Sequence, residues 1–181
     1  AMQIIRDNRY YMPAWAVACD NLRATGEADR ANRMLSELAA DPEFPAEKKP
    51  ELIGMLAASG VTGAARKVLA TLPAKDPAMP RLRAIVSAAE GNTAKARSEM
   101  AAAVKADPND VGLRLQYAGL LRNANLAADA RAQLDDLAKR PLTADERNRT
   151  ERGYLSLRLP EQAEAVLQPV LKAQPNQAED T

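Results

Sequence analysis

The sequence predicts an all-α protein, an array of stacked helix–turn–helix repeats, on three observations. Ala, Leu, Arg, Glu and Gln form helices well and are abundant, whereas β-branched residues are sparse and aromatics make up only 3%. An Ala-rich helical phrase, opened by a turn and closed by Pro, recurs five times along the chain. The residues between successive phrases carry a second helical pattern of matching length. A helix so rich in Ala has high propensity but little apolar area to bury, and it makes sense where neighbouring helices approach closely.

The recurring phrases are Gly26–Pro42, Gly60–Pro77, Gly91–Pro108, Asn125–Pro141 and Leu159–Pro175. Each places an Ala and two further apolar residues at offsets of four and seven, one helical face. The first has Ala31, Leu35 and Leu38, the second Ala65, Leu69 and Leu72, and the third Ala96, Met100 and Ala103. The fourth has Ala130, Leu134 and Leu137, and the fifth Ala163, Leu167 and Val170. The key alanines are separated by 34, 31, 34 and 33 residues. The preceding helix contributes Trp15, Ala18, Cys19 and Leu22 in the first unit, Leu52, Ile53 and Leu56 in the second, and Tyr117, Ala118 and Leu121 in the fourth.

Gly26, Gly60 and Gly91, with Asn125 as the substitute, stand where one helix must end and positive φ is useful. Thr62, Asn92 or Thr93 can cap the helix that follows, and Pro160 suits a first helical turn. Two units depart from the pattern. In the third, the shortened spacing predicts a first helix that loses part of a turn, with Leu82, Ile85, Val86 and Ala89 about two residues late. In the fifth, Thr150 and Glu151 replace the small apolar pair, leaving Tyr154, Leu155 and Leu157 to pack. Pro169 inside the last helix removes a backbone bond and predicts a bend.

The order Trp, small pair, apolar residue, turn, Ala, Leu and Pro resembles the tetratricopeptide repeat (TPR) over residues 12–176. This resemblance implies a TPR-type right-handed α-solenoid of about five helix–turn–helix repeats. The units are expected at 12–43, 46–77, 79–109, 110–142 and 143–176, after an N-terminal segment 1–11 that begins like an expression scar and before a polar tail at 177–181.

Composition excludes much chemistry. With no His, the commonest general base and metal ligand are missing. One Cys rules out an intrachain disulfide and a thiolate zinc cluster. A net charge of +1, from 25 basic and 24 acidic residues, gives no footprint for nucleic acid. No apolar run approaches the roughly 20 residues needed to insert in a bilayer. Cys19 and Trp15 fall in packing slots of the repeat. Asp135 with Asp136, and Asp145 with Glu146, are adjacent on helices, face apart and read as solvated surface. "SGVTG" (Ser59–Gly63) lacks the strand and Lys of a phosphate loop and reads as an interhelical turn. No catalytic, cofactor-binding or metal-binding residues are expected, and the chain is not expected to be an enzyme.

The TPR resemblance also implies that first helices line a concave groove. By it, Asp20 and Arg23 face that groove from the first unit, Arg83, Ser87 and Glu90 from the third, Gly119, Arg122 and Asn123 from the fourth, and Asn148 and Arg152 from the fifth. The four arginines are either a basic ladder or ordinary solvated side chains. Guanidinium forks match carboxylates, so an acidic protein or peptide segment is the expected partner. The functional expectation is a non-catalytic interaction scaffold, a fragment of a larger bacterial protein. The stretches Leu134–Leu157 and Ala163–Asp180 are also similar to the alanine-rich TPR arrays of cellulose and exopolysaccharide secretion subunits. That similarity implies a periplasmic segment linking a synthase to an outer-membrane pore, with polysaccharide or export-complex subunits as partners; a cytoplasmic location is the alternative. Leu167, Val170 and Leu171 end the last unit without a polar cap, which predicts an apolar face covered either by another repeat of the parent protein or by self-association with a second copy.

Overall fold

The computed structural model describes residues 2–173, with side chains through residue 169. The described residues contain eleven α-helices and no strand. A short helix α1 (Met2–Asp7) precedes α2 (Met12–Ala24), α3 (Ala28–Ala39), α4 (Lys49–Ala58), α5 (Thr62–Ala70), α6 (Met79–Ala89) and α7 (Thr93–Ala106). Then follow α8 (Val111–Asn123), α9 (Ala127–Ala138), α10 (Ala144–Ser156) and α11 (Pro160–Ala173). The chain divides into two compact units, with the boundary inside α7 after Glu99.

One turn recurs five times. Gly26, Gly60, Gly91, Asn125 and Arg158 all have positive φ, between 59° and 82°. Each stands five residues before the key alanine of its unit. At each, the positive-φ residue donates its N–H to the carbonyl three residues back, and the next N–H reaches the carbonyl five residues back. In the first turn these bonds are Gly26 to Arg23 at 3.1 Å and Glu27 to Leu22 at 2.7 Å. In the last they are Arg158 to Leu155 at 2.9 Å and Leu159 to Tyr154 at 3.1 Å. This paired closure satisfies carbonyls that a helix end leaves orphaned, and it reverses the chain into the next helix.

The turn places the repeats in one common register and corrects the expectation for the third unit. Ser87 stands where Leu22, Leu56, Leu121 and Tyr154 stand in the other units, so α6 is not shifted. Both helices flanking the short spacing are short: α6 has 11 residues where α2, α8 and α10 each have 13, as expected, and α5 has 9 where α3 and α9 each have 12. Pro73, soon after α5, fits that early stop.

The key alanines are where helices meet. Ala31, Ala65, Ala96 and Ala130 are wholly buried, and Ala163 is nearly so. In the N-terminal unit, Trp15, Cys19, Leu35, Leu38, Leu52, Ile53, Leu56 and Leu69 join Ala31 and Ala65 in one cluster. Trp15 also donates its indole N–H to the Arg9 carbonyl at 2.7 Å, fixing the chain ahead of α2. In the C-terminal unit, Leu134, Leu137, Leu142, Tyr154, Ala163 and Val166 pack with Ala118.

The polar fifth unit forms its first helix through local chemistry. Thr143 accepts from the Glu146 N–H, while Glu146 accepts from the Thr143 N–H at 2.8 Å, a reciprocal cap. Thr150 is fully buried because its hydroxyl donates to the Glu146 carbonyl at 2.8 Å. Leu155, expected to pack, is exposed instead. Asn92 caps α7 by accepting from the Lys95 N–H at 3.1 Å. Thr62 does not cap α5, because it lies inside the first turn and Val61 takes the cap position. α11 continues through Pro169. Leu167 is half-buried; the side chains of Val170 and Leu171, together with Pro175 and the tail 177–181, lie outside the described residues.

Candidate functional site

In the C-terminal unit the first helices α8 and α10 are neighbours, with α9 packed against both. A cleft of about 360 Å³ opens between them. Its floor is apolar: Leu115 and Ala118 from α8, Leu134 from α9, and Leu157 beyond α10. Arg122, Arg149 and Arg152 line it as well, and no carboxylate does so among the described residues. The spacing explains the grouping. Arg149, Arg152, Gly153 and Ser156 follow at intervals of three and four, one stripe of α10, while Leu115, Gly119 and Arg122 form the facing stripe of α8.

Two glycines shape the cleft. A β-carbon at Gly119 would meet nothing within 4 Å, so that wall is open. At Gly153 it would lie 2.8 Å from Leu134 Cδ2, so the α10 backbone rests directly on the leucine floor. Tyr154, the next residue, turns inward and is 2% exposed. Its hydroxyl donates to Asp135 Oδ1 at 2.9 Å, tying α10 to α9. Burial, that hydrogen bond and the Asp135 charge all push the phenol upward from its ordinary pKa, so it remains a neutral donor.

The arginines keep much of their donor capacity. Arg122 gives Nε and one Nη to Asn123 Oδ1, at 3.3 and 3.1 Å. Arg152 spends Nε on the Asn148 carbonyl at 3.2 Å. Arg149 has a 4.0 Å contact with Asp145, one turn earlier. Each guanidinium carries five N–H donors, so most of this array is open to a ligand.

The residues expected in a groove are distributed unevenly. Gly119, Arg122 and Arg152 line the cleft. Asn123 and Asn148 are exposed and serve as acceptors for those two arginines. In the N-terminal unit, Asp20 is exposed and pairs with Arg23 at 3.3 Å. Arg23 also donates to the Ser59 hydroxyl, a bond from α2 to the end of α4. Arg83 is exposed with no polar partner among the described residues. Ser87 is a correction: it is 3% exposed and donates to Glu99 Oε2 at 3.1 Å, because the common register gives it the packing slot. Glu90 is taken by Arg66 of α5. Arg149 and Gly153 escaped the sequence reading, although their three- and four-residue spacing to Arg152 and Ser156 was visible there.

Fold and cleft together define an all-α protein of helical hairpin repeats with an arginine-lined cleft between adjacent first helices. No family model matches the chain, and no curated relative matches it. Among solved structures it is similar to YrrB, described as a TPR protein with an unusual peptide-binding site, at 16% identity and a TM-score of 0.46. That match covers 97% of this chain and 93% of the other. It is similar also to MamA MSR-1, at 16% identity and a TM-score of 0.45, over 94% of this chain and 99% of the other. For MamA AMB-1 the values are 14% and 0.46, over 96% and 95%.

Proposed function

We propose that this chain is a non-catalytic interaction scaffold, and that it binds a carboxylate-bearing peptide or protein segment in the cleft between α8 and α10. One observation carries this reading: among the described residues, three arginines and no carboxylate line a cleft of about 360 Å³ with an apolar floor. Guanidiniums over apolar surface fix and orient carboxylates with little competition from the protein's own acids. The test is a screen of immobilised acidic peptides against the protein and its Arg122→Glu/Arg152→Glu variant. Binding should fall at least tenfold in the variant. Unchanged binding would remove the arginines from the interaction.

A narrower proposal rests on the sequence similarity of Leu134–Leu157 and Ala163–Asp180 alone. In it the chain is a periplasmic segment of a cellulose or exopolysaccharide export subunit, linking synthase to pore. Isothermal titration with cello-oligosaccharides tests the glycan side of that proposal. Binding that survives the same charge reversal would favour it over the peptide reading.

A further inference from the structure

Resting on the peptide reading, we infer that the cleft recognises one bulky aliphatic side chain within an internal acidic stretch, and that Gly119 sets this specificity. Three features of the cleft converge on such a segment. First, charge alone does not need a cavity, since arginines on an open helix face would attract carboxylates equally well. Here the guanidiniums border a recess whose accessible apolar lining includes the half-buried Leu115 and Leu157. An acidic ligand without an apolar side chain would leave that lining wet, and covering it adds to the gain from charge.

Second, position 119 lacks a side chain where α8 borders the recess. The facing helix brings its backbone hard onto Leu134 at Gly153, whereas the space ahead of Gly119 is empty to 4 Å. Gly in a helix interior is unfavourable relative to Ala, and a larger side chain at 119 would extend into the open space along this wall. The other cleft glycine is explained by close packing; Gly119 is not.

Third, the arginines are spread over two helices, Arg122 on α8 and Arg149 and Arg152 on α10. A single carboxylate takes one guanidinium fork. Arginines on both walls match acidic residues on both sides of the anchored side chain, which is the pattern of an internal segment. A free C-terminus would supply its main-chain carboxylate on one side only.

The experiment uses the whole chain and fluorescent ten-residue peptides with amidated C-termini, in which a central Leu or Ala is flanked by Glu and Asp. The Leu peptide should bind, and Leu→Ala should weaken it at least tenfold. Gly119→Leu should erase that difference while circular dichroism shows α8 intact, because Leu is a better helix former than Gly. Equal binding of the Leu and Ala peptides would overturn the anchor yet leave peptide binding standing. Binding by the free-acid peptides alone would overturn it in favour of a terminal carboxylate. Failure of every peptide to bind would take the peptide reading down as well.

Discussion

Gly153 of α10 and Leu134 of α9 meet so closely that any side chain at position 153 requires Leu134 to move. A β-carbon there would stand 2.8 Å from Leu134 Cδ2 and 3.2 Å from Cδ1. Leu134 is 1% exposed, so it has core neighbours on its other sides. Gly153→Ala should therefore destabilise the C-terminal unit. Overpacking costs roughly 1–3 kcal/mol, against a helix-propensity gain of about 1 kcal/mol. A net loss of about 1 kcal/mol is expected in urea denaturation. Gly119→Ala, with nothing near its new methyl, should stabilise by up to about 1 kcal/mol. The two glycines in one cleft thus predict opposite signs, and the same sign for both would refute this account of the packing.

Much of the fold was legible because it is written in short-range chemistry. The alanines at offset zero and the apolar residues at four and seven mark a helical face, and the structure buries that face from Ala31 to Leu137, with Leu72 half-buried. What sequence misread is the register of α6 and the shortening of α5. The spacing does not reveal how the loss is shared between α5 and α6, and the hydrogen bond from Asn92 to Ser87 fixes the register of α6. Arg122 and Arg152 were legible only through the TPR resemblance, and the cleft they line was not legible at all. Its depth depends on how closely α10 approaches Leu134, a distance that no single helix encodes.

The reciprocal cap at Thr143 makes a prediction in pH. The Thr143 backbone N–H, and next its hydroxyl, hold the Glu146 carboxyl below its ordinary value. A lowered folded-state pKa means stabilisation that is complete above the unfolded-state value, near about 4.3, and lost as pH falls through the lowered one. Thr143→Ala should cost about 1 kcal/mol at neutral pH. Glu146→Gln should flatten the acid limb of the stability curve relative to wild type. An acid limb identical in wild type and Glu146→Gln would mean that this carboxylate contributes nothing to the pH dependence.

Cys19 should behave as a core residue. It is 1% exposed, and burial pushes its thiol upward, with Arg23 opposing and Asp20 adding. Thiolate is the reactive form, so a neutral buried thiol is slow. Ellman's reagent should leave the native protein unlabelled at pH 7.5 and titrate one thiol in denaturant. Rapid native labelling would show that the α2 face opens readily.

Arg158 occupies the turn position that Gly26, Gly60 and Gly91 hold in the first three units, at a φ of 60°. A left-handed backbone costs an ordinary L-residue roughly 1–2 kcal/mol, while Gly adopts it freely but loses more chain entropy on folding, by about 0.4–1 kcal/mol. The strain term is larger. The guanidinium of Arg158 is exposed and has no polar partner among the described residues, so its removal forfeits no bond to them. Arg158→Gly should thus stabilise the C-terminal unit by about 0.5–1 kcal/mol. Arg158→Ala supplies the contrast, since it deletes the same side chain and keeps the β-carbon that causes the strain. Urea denaturation should rank Gly above both Arg and Ala. If Ala matched Gly, the gain would come from the lost charge, and the fifth turn would not share the backbone demand of the other four.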